Sequence, residues 1–201
     1  MLPGSDEYDK RFTLIPIPID KGLIGFRISL IHRENRNLFA NTTTLDALKK
    51  PFACLARSWN ITKVFEHNKL NVRKSDKYKD LFKLLQNKRC EYFSRGVGEL
   101  LSEFGYWSQI HPDIAIEPHI LLRTPMAMYL YVSKSRPDIA KRLNEGLKRA
   151  LKDDTFEKLF QDEFSSDILA LRLMGRPVIN LEAIKPHANA PVGNYGLWFR
   201  P

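Results

Sequence analysis

The sequence predicts an α/β fold in which short strands alternate with amphipathic helices. Short apolar runs bounded by turn residues are typical of strands, and they alternate with stretches whose apolar residues recur at helical spacing. The chain has 201 residues, 43% of them hydrophobic, which is enough for one sizeable core or two small ones. The composition therefore indicates a folded chain rather than a disordered one.

The first predicted strands lie near the N-terminus. Residues 12–19 contain Pro16 and Pro18, and because proline cannot donate to a β-ladder, this segment is expected at a sheet edge or in an extended crossing. Residues 26–32 alternate as in a half-buried strand, which places Arg27 on the face toward solvent or a cleft.

The middle of the chain, residues 41–124, has the pattern of a wound α/β unit. Its predicted elements are a short helix over 45–49, a strand over 52–56, a helix over 62–68, a strand over 70–72, a helix over 76–87, a strand over 91–94 and a helix that begins near Val97. The lysines of the 76–87 segment fall on the polar face of its helix, so they are expected to be solvated.

The last third of the chain predicts two strands, over 120–123 and 128–133, followed by two helices. Pro137 is an accepted first-turn residue for the first helix, and Asp154 with Glu157 resembles a capping box at the start of the second. The tail from Asn180 has no clear period and is expected to cover the surface.

The strand that runs into a helix at residues 92–99 is the first candidate ligand site. A strand that turns directly into a helix presents free backbone N–H groups and the positive end of the helix dipole at one point, which favours anions. Arg95 and Gly96 lie at that point, and a guanidinium can hold a carboxylate or phosphate through two parallel hydrogen bonds. The alternative is a plain strand–helix joint with a surface arginine.

The two cysteines, Cys54 and Cys90, lie in apolar runs without a paired spacing. They are therefore predicted to be buried thiols. A bridge between them stays open only if their strands are neighbours in an oxidising compartment, since the Cα atoms of a disulfide lie within about 7 Å.

Several function classes have little support in the sequence. The five histidines lack metal-ligand spacing, and no nucleotide-binding or serine-hydrolase motif occurs, so the chain is predicted to be non-enzymatic, with no metal and no cofactor. No apolar run is long enough for a membrane helix, and the acidic start is not a signal peptide, so the chain as written is expected in the cytoplasm without membrane insertion. The net charge of +9 leaves a basic interaction module that binds nucleic acid as an alternative.

The order of several segments resembles the bacterial type II periplasmic solute-binding proteins of the family that serves polar amino acid uptake. The resemblance extends from Phe12 to about Leu181. The segments that carry it are IPIDKGLIGFR at 17–27, TLDALK at 44–49, SWN at 58–60, LF and LL at 81–82 and 84–85, CEYFSRG at 90–96 and MYLYVSK at 128–134.

The resemblance implies two α/β lobes that close on a solute held between them. Residues 1–40 and 125–201 would form the first lobe and residues 41–124 the second. The signal peptide and the opening strand–helix units of the family have no counterpart here, so the first lobe is expected to be incomplete. An inactive, truncated receptor is therefore a further alternative.

The resemblance also implies a function and a set of contacts. The chain would bind a small polar or anionic solute of amino-acid type, with an ABC permease as its partner and no nucleic acid, and it would be periplasmic if its precursor carries a signal peptide. Trp59 would form an aromatic wall, and Arg95 and the Gly96 amide would donate to an anion. Ser58 and Tyr92 would orient the solute, and Arg27 would line the hinge side of the cleft.

Overall fold

The computed structural model describes residues 2–184, 191 and 195–200. The helices in this part of the chain are α1 (Asp6–Arg11), α2 (Asn60–His67), α3 (Tyr78–Gln86), α4 (Val97–Ile110), α5 (Pro137–Lys152) and α6 (Thr155–Ala170). The strands are β1 (Leu2–Pro3), β2 (Phe12–Ile15), β3 (Phe26–His32), β4 (Ala53–Ala56), β5 (Val72–Ser75), β6 (Tyr92–Gly96), β7 (Ile114–Ile116), β8 (Leu121–Arg123), β9 (Met128–Ser133) and β10 (Val178–Asn180).

The chain divides into two compact units. Unit 1 contains residues up to 25, residues 125–171 and the segment from 185 onward, and unit 2 contains residues 26–124 and 172–184. Residues 26–40 therefore belong to the same unit as the middle of the chain. The reason is that β3 pairs with β6, β7 and β8. The lobe limits predicted from the sequence grouped residues 26–40 with the N-terminal segment instead. The assignment of these units to lobes stays a prediction.

Unit 2 contains a mixed sheet in the order β10-β8-β3-β6-β4-β5, with β7 also paired to β3. Strands β4, β5 and β6 run parallel to one another, whereas β3 is antiparallel to β6. All seven residues of β3 are buried because the strand lies in the middle of this sheet. The predicted limits of the strand over residues 26–32 are confirmed, but the prediction that this strand is half-buried is wrong.

A disulfide joins Cys54 on β4 to Cys90, which lies two residues before β6. The Cα atoms are 5.7 Å apart, and both residues are buried. Burial was predicted correctly, but the prediction of free thiols is wrong. The bridge forms because β4 and β6 are adjacent in the sheet although β5 lies between them in the sequence.

Unit 1 contains an antiparallel sheet in the order β1-β9-β2 with α5 packed on it. Apolar residues of both layers form a small core, which contains Ile15, Val132 and Ala140 with Leu130, Ile139 and Leu147 packed against it. The edge position expected for the segment that begins at Phe12 is confirmed by β2.

A tight turn at residues 20–25 of unit 1 depends on Asp20. Its buried carboxylate accepts hydrogen bonds from the backbone N–H groups of Gly22, Ile24 and Met128 at 2.9–3.0 Å. Gly22 has φ +75°, and the Trp198 ring fills the space that a Cβ would need, so this position favours glycine on two counts.

The limits of several elements agree with the sequence predictions, and others differ. Strand β9 has the predicted limits and α5 begins at Pro137. The predicted capping box is wrong: Asp154 has φ +61° and forms no capping hydrogen bond, while Asp153 accepts from the Thr155 N–H instead. Helix α1 and strands β7 and β10 were not predicted. Much of the tail from Asn180 lies outside the described residues.

The helices described here include none with the length and apolar character needed to cross a membrane.

Candidate functional site

The strands that carry the predicted ligand residues end at one edge of the unit 2 sheet. Because β4 and β6 are parallel neighbours, their C-terminal ends lie side by side, and α2 and α4 begin just beyond them. This arrangement brings the loop 57–59 next to Arg95 and Gly96. We call this region the strand-end edge. Carboxyl ends of parallel strands are where ligands commonly bind in α/β sheets.

The side chain of Arg95 is buried, and two of its guanidinium nitrogens contact acids of α4. Nε and Nη2 donate to the two carboxylate oxygens of Glu103, each at 2.5 Å, and Nη2 lies 3.1 Å from Glu99. Only 6% of the Arg95 side chain is exposed. Burial alone would lower the pKa of Arg95, but its contacts with Glu103 and Glu99 outweigh that effect and raise the pKa.

Three aromatic rings surround the same guanidinium. Its central carbon lies 4.6 Å from the ring centroid of Trp59, 5.4 Å from that of Phe93 and 5.8 Å from that of Tyr78. Trp59 also stacks on Phe93 with an interplanar angle of 14°. The predicted proximity of Trp59 and Arg95 is therefore present, and the ring packs on the arginine itself.

The Gly96 amide at the start of α4 has a partner within the chain. Its N–H donates to a carboxylate oxygen of Glu99 at 3.2 Å. The chain's own carboxylate thus occupies the position at which a bound anion was expected. The prediction of Arg95 and Gly96 as free anion donors does not fit this geometry.

Arg27 is also buried, contrary to the prediction that it faces solvent or a cleft. Its residue exposure is 2%, and Nε and Nη2 donate to the side-chain and backbone oxygens of Ser94 at 3.1 and 2.9 Å. Burial and the nearby charge of Arg95 lower the pKa of Arg27 to about 10.

Tyr92 lies in the core, as a plain strand residue would, and not at the strand-end edge. It is fully buried against Phe39 and Phe65, and its hydroxyl has no hydrogen-bond partner among the described residues. Burial raises the pKa of this hydroxyl. An orienting role for Tyr92 toward a solute at the edge is therefore excluded by its position.

Ser58 is the exposed member of the predicted set, and Trp59 is half-buried beside it. The loop that carries them is held at both ends: the Thr62 hydroxyl donates to the Ala56 carbonyl at 2.7 Å, and Arg57 pairs with Asp76 at 2.9 Å. A solute that reaches this edge would therefore meet Ser58 and the free part of the Trp59 ring.

Sequence reasoning missed the importance of Glu103 and Tyr78. The spacing of Glu99 and Glu103 is that of an ordinary exposed pair on a helix, but the Glu103 side chain is only 18% exposed. The sequence does contain a signal: Glu99 and Glu103 follow Arg95 at intervals of four residues, which aligns them on the helix face that meets the end of β6. Tyr78 has no comparable signal because it reaches the edge from the start of α3.

No family model matches the sequence, and no curated protein matches it. Solved structures do match the fold. A Bacillus subtilis protein, YckB, has a TM-score of 0.52 and 18% identity over 90% of this chain and 68% of its own. The Streptococcus pneumoniae amino acid ABC transporter substrate-binding protein AbpA, bound to L-arginine, has a TM-score of 0.55 and 11% identity over 83% of this chain and 67% of its own.

A third match is an ancestral amino acid-binding protein described as a precursor of cyclohexadienyl dehydratase. Its TM-score is 0.55, with 14% identity over 81% of this chain and 66% of its own. The chain thus spans about two thirds of the length of these structures. Its fold is the α/β fold of the two-lobed type II solute-binding proteins, as the sequence predicted.

Proposed function

We propose that this chain is a non-enzymatic receptor for a small polar solute of amino-acid type. The observation that supports the proposal is the match of 81–90% of the chain to the fold of solute-binding proteins, among them an amino acid transport protein with L-arginine bound. The non-enzymatic role belongs to the proposal, since a dehydratase precursor is among the proteins of this fold.

The strand-end edge supports a neutral or zwitterionic solute better than a simple anion. The positive charges of Arg27 and Arg95 are balanced nearby by Glu99 and Glu103, and the Gly96 amide is occupied. A net excess of positive charge at this point, which the anionic alternative needs, is therefore missing. The exposed Ser58 hydroxyl and the Trp59 ring suit a solute with one polar and one apolar part.

The disulfide supports a location outside the cytoplasm. Disulfides persist in oxidising compartments such as the periplasm and are rare in the reducing cytosol. Cys54 and Cys90 are both buried residues of unit 2. We include an extracytoplasmic location and delivery to an ABC permease in the proposal, in place of the cytoplasmic location expected from the sequence as written.

Thermal unfolding in the presence of the amino acids and of organic acids tests the proposal. A true solute is expected to raise the melting temperature saturably, because a ligand at 100 times its Kd adds about 2.7 kcal/mol to the stability of the folded state. No rise with any of these compounds would contradict the receptor role.

The variant Trp59→Ala tests whether the strand-end edge is the binding site. We expect calorimetric titration to show affinity about tenfold weaker, or about 1.4 kcal/mol, because the variant lacks the aromatic wall. The matched control is Tyr106→Ala on α4, because Tyr106 is 61% exposed and lies far along the helix from the strand-end edge. Equal losses in both variants, or none in Trp59→Ala, would place the solute elsewhere.

A further inference from the structure

Arg95 is held by unit 2 in the way that a binding protein holds a ligand. Four separate elements contribute to its surroundings: the loop before α2 supplies Trp59, α3 supplies Tyr78, α4 supplies Glu99 and Glu103, and β6 supplies Phe93. A side chain that only covered the sheet would not need this convergence.

The contacts match the chemistry of a guanidinium rather than that of any cation. The two bonds from Nε and Nη2 to the oxygens of Glu103 form the parallel pair that only a planar fork can make. The Trp59 face lies 4.6 Å from the guanidinium carbon, within the range of cation–π attraction. A compact ammonium could satisfy the charge, but it has no second nitrogen for the other bond of the parallel pair.

We propose that Trp59, Tyr78, Glu99 and Glu103 form a guanidinium-binding site whose occupant is the chain's own Arg95. In the unmodified protein the site is closed to free guanidinium compounds, because the tethered occupant is always present. The same occupancy keeps Arg95 from gripping a solute carboxylate. This inference does not depend on which solute the receptor binds.

Two other arginines of unit 2 each show one of the two kinds of contact that Arg95 makes, either with an acid or with an aromatic ring. Arg57 pairs with Asp76 at 2.9 Å, and its side chain is 59% exposed. The Arg73 guanidinium lies 4.3 Å from the ring centroid of Phe52, and within the described residues it has no ion pair. They provide matched controls: Arg57 for an acid without the aromatic enclosure, and Arg73 for an aromatic ring without an acid.

The test is chemical rescue of Arg95→Ala by methylguanidinium chloride, well below denaturing concentrations. The variant leaves an empty site with two carboxylates and an aromatic wall, so its melting temperature is expected to rise saturably with methylguanidinium and not with potassium chloride at equal ionic strength. The unmodified protein, Arg57→Ala and Arg73→Ala are expected to show no such rise.

The double variant Arg95→Ala/Glu103→Gln removes the bidentate acceptor and is expected to abolish the rescue. If Arg95→Ala does not fold unaided, the readout is the yield of folded protein after refolding with and without methylguanidinium, again against Arg57→Ala. Absence of rescue in both readouts, or equal rescue in the controls, overturns the inference. Neither result bears on the amino acid titration of the unmodified protein, so the two proposals fail separately.

Discussion

At the scale of single residues, Asp20 is the buried acid that accepts backbone hydrogen bonds in the turn at residues 20–25. Burial raises the pKa of this carboxyl from its ordinary value of 3.8, against the opposing effect of its hydrogen bonds with backbone N–H groups. An acid whose pKa is higher in the folded state binds more protons when folded. Its contribution to stability is therefore complete at low pH and is lost as the pH rises through the raised pKa.

Asp20→Asn is expected to remove this part of the pH dependence. The free energy of unfolding of the unmodified protein minus that of the variant should fall with rising pH above 3.8, by at most about 1.4 kcal/mol per pH unit. Urea unfolding at a series of pH values measures the difference. The control is Asp138→Asn, where hydrogen bonds from Arg136 lower the pKa and the difference should rise with pH. A difference for Asp20→Asn that rises with pH would contradict the prediction.

The positions of single side chains at the edge were only partly predictable. In a strand, successive side chains point to opposite faces, so Tyr92 and Arg95, three residues apart, could not both face one solute from a regular strand. The predicted strand ended at Ser94, so the sequence did not determine the side of the sheet to which Arg95 points. In the structure, β6 continues through Gly96. Which acids neutralise Arg95 depends on how α4 packs against β6. The residue pattern of one strand does not predict this packing.

At the scale of elements, the disulfide links β4 covalently to the residues just before β6. The disulfide closes a segment of sequence separation 36, which includes α2, β5 and α3. Closing a loop of this length reduces the conformational entropy of the unfolded chain and so stabilises the folded state by about 3–4 kcal/mol.

Cys54→Ala/Cys90→Ala should therefore lower the free energy of unfolding by about 3–4 kcal/mol in urea titrations. Dithiothreitol added during the titration should lower the stability of the unmodified protein by a similar amount and leave the double variant unchanged. Two free thiols in the native, freshly isolated protein, measured by alkylation and mass spectrometry, would be the contrary result.

Element types and limits were predicted well where the pattern was strong, as for β3, β9 and the start of α5. The predictions that failed concern the surroundings of the elements, that is, their burial and their neighbours in the sheet. β3 alternates like a half-buried strand, but its place in the middle of the sheet buries its polar face as well, and Arg27 and Ser29 are accommodated by pairing with the end of β6. The adjacency of β4 and β6, and so the disulfide, likewise follows from strand order, which local sequence does not encode.

At the scale of the whole molecule, the net charge of +9 is the property that keeps a nucleic-acid-binding alternative in view. Many of the basic side chains of unit 2 are paired with acids close by. These pairs include Arg57–Asp76, Lys83–Asp80, Lys74–Glu66 and Lys88–Glu34. Such pairing disperses the charge, whereas binding to a phosphate backbone needs a continuous basic surface.

The salt dependence of binding separates the two functions. A protein that neutralises six to ten phosphates loses about 10³- to 10⁵-fold in affinity between 50 and 200 mM salt, because counterions are released. A zwitterionic solute at a locally neutral edge releases few ions, so its affinity should change by less than about twofold over the same range. Calorimetric titration of the solute, beside fluorescence anisotropy with labelled single- and double-stranded DNA, gives both slopes. Tight DNA binding that weakens steeply with salt, together with no solute binding, would mean that the charge rather than the solute-binding fold determines what this chain does.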